Sequence, residues 1–107
     1  VQVMFDKVKK NNHFMGGKKV IEPQIFLNGQ IRAGRSSKVK KELILKLRDI
    51  LIEYSKIETS QVWVYIDVLA PSQMIEYGAI LPVAGGEKEW FKSLSPNLKK
   101  KLSKIET

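Results

Sequence analysis

The chain has 107 residues, a formal net charge of +8, 43% hydrophobic and 28% charged residues. That size sets one domain with a modest core, near the length at which a partner subunit often supplies part of the burial, and the composition favours a globular domain over a disordered chain. The sequence has no cysteine and one histidine, which excludes disulfides, thiolate metal sites and a thiol nucleophile and leaves a histidine metal site short of ligands.

No apolar run approaches the roughly 20 residues of a membrane span, and the first residues lack the charged-then-apolar pattern of a signal peptide. A soluble, cytoplasmic protein with no membrane partner is the expectation. Sixteen lysines stand against three arginines. The lysines fall in scattered groups (Lys7, Lys9, Lys10; Lys18, Lys19; Lys38, Lys40, Lys41; Lys99, Lys100, Lys101) without a zinc finger, an RNA-recognition aromatic motif or a G-x-x-G loop. This pattern reads as a solvated surface more readily than as a nucleic-acid interface.

In chain order, Val1, Val3 and Phe5 alternate with Gln2, Met4 and Asp6, which predicts a strand with one buried face. His13 to Met15 predict a short extended piece, turned by Gly16 and Gly17. Pro23 introduces "QIFLNGQI", a second strand. Ser36 or Ser37 then caps a helix expected over about Lys38 to Tyr54, with an apolar stripe of Val39, Leu43, Leu47, Ile50, Leu51 and Tyr54. Leu45 and Ile52 fall off that stripe, which leaves a second face for another subunit to cover. Val62, Val64, Ile66 and Val68 alternate with Trp63, Tyr65, Asp67 and Leu69 in a third strand. Strand, helix and strand in this order predict a right-handed crossover between parallel strands. Beyond Pro71 the chain is expected to be irregular, broken by Pro82 and Gly85-Gly86, until Ser95 and Pro96 start a short helix carrying Leu98, Leu102 and Ile105. The fold class is α+β, a sandwich with helix on one side of a small sheet.

Two of the three arginines, Arg32 and Arg35, share the junction between a strand end and a helix start. Free amide groups and the helix dipole favour an anion there, and a guanidinium offers the planar two-point grip that fits a carboxylate. Pairing with surface acids is the plainer alternative. Tyr65 projects from the strand face opposite Val64, either as a packed aromatic or as a hydroxyl available for chemistry. Glu76 lies between apolar neighbours in the irregular segment, either as an ordinary solvated carboxylate or as a candidate general base. His13 reads as structural.

Together, "GQIRAGRSSKVKKELILKLRDIL" and "VWVYIDVLAPSQMIEYGAILPVAGGEKEWFKSL" resemble the tautomerase superfamily, and within it the cis-3-chloroacrylic acid dehalogenase family. The most specific parts are R-x-G-R-S, WVY and M-I-E-Y-G-x-x-L-P in that order. The resemblance implies that Arg32 and Arg35 bind a substrate carboxylate and that Tyr65 and Glu76 position or activate water. It implies action on a small unsaturated or 2-oxo carboxylate, without metal or organic cofactor, in a homotrimer of subunits built from two β-α-β units. On that pattern, residues 1–22 correspond to the remainder of a first unit, 23–70 to the second unit, and 71–107 to a carboxyl-terminal loop and short helix. The family's amino-terminal proline, its first strand and its first helix have no counterpart in these 107 residues. The sequence leaves three explanations: a longer protein, a hetero-oligomer whose other chain carries the proline, or a catalytically silent trimeric binding or scaffold domain.

Overall fold

The computed structural model describes residues 1–105. Its first regular pieces are the strands β1 (Phe14–Met15) and β2 (Lys18–Lys19), joined by Gly16 and Gly17 at φ 60° and 77°. Successive positive φ angles are what a two-residue hairpin turn needs, and glycine supplies them without a Cβ clash. The expected strand over Val1 to Phe5 is not formed: residues 1–9 carry no strand, and Val1, Met4 and Phe5 are almost fully exposed. Alternation alone cannot hold a strand whose backbone groups find no ladder partner.

The centre of the molecule is β3 (Ile25–Arg32), α1 (Ser37–Ser55) and β4 (Val62–Leu69), with β3 and β4 parallel and in register from Ile25 opposite Val62 to Arg32 opposite Leu69. The parallel pairing of two strands joined through a helix is therefore as the sequence predicts. Ser36 is the helix cap, its Oγ accepting from the Val39 amide at 3.2 Å. Lys56 ends the helix in the left-handed conformation at φ 61°, donating back to the Ile52 carbonyl.

The period of two along both strands sorts the sheet into two faces. Ile25, Leu27, Gly29 and Ile31 share one face with Val62, Val64, Ile66 and Val68, and α1 packs against β4. Phe26, Asn28, Gln30 and Arg32 share the other with Trp63, Tyr65, Asp67 and Leu69. The helix face differs from the predicted stripe. Leu43, Ile44, Leu47, Leu51 and Ile52 are partly covered, together with the stem of Lys40, whereas Val39, Ile50 and Tyr54 are exposed. Ile52, expected off the stripe, is thus partly covered within the subunit, whereas part of the predicted stripe faces solvent.

After β4, the strands β5 (Ile75–Glu76) and β6 (Ala79–Ile80) form a second hairpin, and α2 (Glu87–Ser93) and α3 (Pro96–Ser103) follow. The region after Pro71 is thus more regular than expected, since "EKEWFKS" opens a helix directly after the glycine pair. Ser95 caps α3 through the Leu98 amide, with Pro96 in its first turn, as the sequence predicts. No helix among the described residues is long and apolar enough to cross a membrane.

Val62 and Leu94 are the buried apolar side chains among the described residues. The radius of gyration is 17.9 Å, whereas a compact chain of this length would have about 13 Å. The accessible surface is 9146 Å², against roughly 6,100 Å² for a compact monomer of the same mass. A single copy leaves uncovered much of the apolar surface that its strands and helices present.

Candidate functional site

The carboxyl end of β3 delivers Arg32 to the sheet face that α1 does not cover. The strand pair persists one step further, through the bond from the Ala33 amide to the Leu69 carbonyl at 2.7 Å. The Arg32 side chain is 19% exposed. Its Nη1 donates to the Pro82 carbonyl at 2.9 Å and its Nη2 to Glu87 Oε1 at 2.9 Å. The guanidinium therefore ties the strand end to the segment that leads into α2. Trp90 of α2 donates to the Ile80 carbonyl at 2.7 Å, fixing the same segment to the β5–β6 hairpin.

Arg35 comes next along the chain, and its Nη1 donates to the Arg32 carbonyl at 2.9 Å. Gly34 makes that turn possible. Its φ is 118°, and a Cβ placed on it would lie 3.0 Å from the Ala84 Cβ. Both the backbone and the neighbouring chain exclude a side chain at this position. Gly34→Ala is therefore expected to destabilise the protein by about 1–3 kcal/mol and to lift the 82–86 segment off the strand end. Chemical denaturation reads the first effect. An unchanged midpoint would mean that the junction relaxes freely.

Glu87 is the residue that sequence reasoning missed. The hydrogen bond from its own backbone amide, followed by that from Arg32, holds its carboxyl below the usual carboxylate range. A depressed carboxyl contributes stability above its ordinary pKa and loses it as the pH falls through the folded-state value, so this ion pair is intact at neutral pH and lost in acid. The available signal in the sequence was weak: an acid following Gly85-Gly86 and preceding Trp90-Phe91.

Tyr65 lies on the same open face as Arg32, opposite Asn28 in register, with its ring edge-on to Phe26 at 4.8 Å. Four residues of strand separate it from Leu69, the partner of Arg32, or about 13 Å along the sheet. Asp67 stands between them, opposite Gln30. Glu76 closes β5 immediately before the turn Tyr77-Gly78, whose φ angles of 55° and 78° make a two-residue hairpin turn. A tyrosine at positive φ is strained, and here the strain fixes the end of the strand that carries Glu76. The structure thus joins Arg32 to Arg35 and adds Glu87. It forms no hydrogen bond from Tyr65 or Glu76 to either arginine among the described residues. An open depression of about 360 Å³ along α2, lined by Glu87, Lys88, Phe91 and Lys92, includes none of the four residues singled out in the sequence. His13 serves the backbone, its carbonyl accepting from the Val20 amide at the β1–β2 hairpin.

No family model and no curated protein matches the sequence. Among solved structures, the chain is similar to N1, a member of the cis-3-chloroacrylic acid dehalogenase family, with 30% identity and a TM-score of 0.88 over 97% of this chain and 73% of N1. The chain belongs to the cis-3-chloroacrylic acid dehalogenase family. Two further likenesses show the fold alone. Apo unfused 4-OT matches with 21% identity, a TM-score of 0.51, and 52% of this chain against 97% of its own. A structure from a mechanistic study of trans-3-chloroacrylic acid dehalogenase activity matches with 19% identity, a TM-score of 0.50, and 54% of this chain against 100% of its own. The architecture of this family member is the tautomerase-type β-α-β fold, with Arg32 at the end of β3 and Arg35 on the connection from β3 to α1.

Proposed function

We propose that the protein acts on a small unsaturated or 2-oxo carboxylate by proton transfer or water addition, with Arg32 and Arg35 gripping the carboxylate. The observation that carries this reading is the placement of Arg32: a partly buried guanidinium at a strand end, on the sheet face that α1 leaves open, with Arg35 folded back onto its carbonyl. An arginine fork in partly dry surroundings suits a planar carboxylate better than any lysine in this lysine-rich chain. Binding there would draw electron density toward the carboxylate and make the adjoining carbon–carbon bond a better electrophile. In this reading Glu76 takes a proton from water while Tyr65 orients it.

A second reading follows from the internal occupation of Arg32 by Glu87: a catalytically silent carboxylate-binding domain. Family membership and the large uncovered apolar surface also favour association of three copies into a homotrimer.

Turnover of a panel of small unsaturated and 2-oxo acids by the native assembly tests the enzyme reading. Tyr65→Phe and Glu76→Gln are each expected to lower kcat by about tenfold or more with little change in KM. Unchanged kcat in both would remove their catalytic roles. Ligand-induced thermal stabilisation by the acids without any turnover would select the silent domain instead.

A further inference from the structure

We propose that Glu87 is the resident carboxylate of the Arg32 site, an internal occupant that an incoming acid displaces and that weakens the site's grip on carboxylates. The inference rests on the reading of Arg32 as a carboxylate-binding side chain and adds what regulates its affinity. The bond from Arg32 Nη2 to Glu87 Oε1, at 2.9 Å, is of the same chemical type as the bond that the guanidinium would make to a ligand. Glu87 engages it through one oxygen rather than as a two-point fork, and its side chain is 52% exposed. Exposed single-point pairs are weak and give way to a better-fitting anion.

The remaining contact decides between a competitor and a support. Arg32 Nη1 is held independently by the Pro82 carbonyl. When Glu87 leaves, the guanidinium keeps an anchor on the same segment and gains free donors on Nη2. Removing the Glu87 charge should therefore open the site without releasing the arginine. Glu89 provides an internal control, because it lies on the same helix and pairs with Lys92 at 3.5 Å, away from Arg32.

The test is calorimetric titration of the native protein with propionate, a small acid with no double bond to turn over, and with the neutral propionamide. Glu87→Gln and Glu87→Ala are expected to bind propionate about two- to fivefold more tightly than the unaltered protein, with propionamide unaffected. Glu89→Gln removes the same charge and should leave propionate affinity unchanged. Equal tightening by Glu89→Gln would reduce the effect to net charge and overturn the proposal. So would unchanged or weaker binding in both Glu87 variants while Arg32→Ala abolishes it, since Glu87 would then be a support. Unchanged propionate binding in Arg32→Ala would instead remove the carboxylate role of Arg32 itself. Thermal unfolding of each variant separates altered affinity from altered folding.

Discussion

Arg32→Ala is expected to lower kcat/KM toward small carboxylates by about 100-fold or more, because the proposed charge-assisted two-point grip would be lost from a partly buried position. Arg32 is also a strut: it joins the end of β3 to the Pro82 carbonyl and to Glu87 on α2. Two further variants separate the roles. Arg32→Lys keeps the charge but not the fork, and should recover part of the stability and little of the activity. Glu87→Ala removes one end of the strut while leaving the guanidinium in place, so it should not reproduce the loss. Arg35→Ala is expected to cost less, since Arg35 is exposed and held by a single bond to the Arg32 carbonyl. Retention of full activity in Arg32→Ala, with the fold intact by circular dichroism, would reject the carboxylate-gripping role.

The central crossover was legible because each of its parts obeys a local rule. Alternation along Ile25–Arg32 and Val62–Leu69, the Ser36 cap of α1, and a helix long enough to cross the sheet all agree. The Ser95-Pro96 start of α3 was legible for the same reason. What could not be read depends on contacts made at a distance. Arg32 and Glu87 are 55 residues apart, and no local pattern announces that one carboxylate among several will reach that guanidinium. Gly85-Gly86 signalled a break, but the helix beginning directly after it has too few residues to show a periodic stripe. Val1 to Phe5 show the opposite failure: the local pattern of a strand is present, and the neighbouring strand that would make it one is not within reach. The face of α1 was misjudged because sequence records which side chains are apolar and not which of them this subunit itself covers.

On the proposed homotrimer, Trp63→Asp is expected to break the assembly, reducing the light-scattering mass from three subunits toward one. The open sheet face brings Trp63 beside Phe26 in register, and Tyr65 packs its ring edge-on against Phe26. These three aromatic side chains are 37%, 53% and 54% exposed in the single subunit, on a molecule with about 3,000 Å² more surface than a compact monomer of its mass would show. That surplus exceeds the burial typical of a standard protein–protein contact, and aromatic residues are the usual anchors of such contacts. A carboxylate set beside Phe26 and Tyr65 gains no counter-charge from either, so its desolvation opposes association directly. Lys18→Asp, a larger charge change on the exposed β2 strand, should leave the mass unaltered and so exclude a general charge effect. A monomeric unaltered protein would reject the trimer, and a trimer insensitive to Trp63→Asp would place the covering surface elsewhere. Because Arg32 and Tyr65 share this face with Trp63, loss of the assembly is also expected to uncover the candidate site and weaken carboxylate binding in the same variant, whereas an untouched site would keep its affinity in the dissociated subunit.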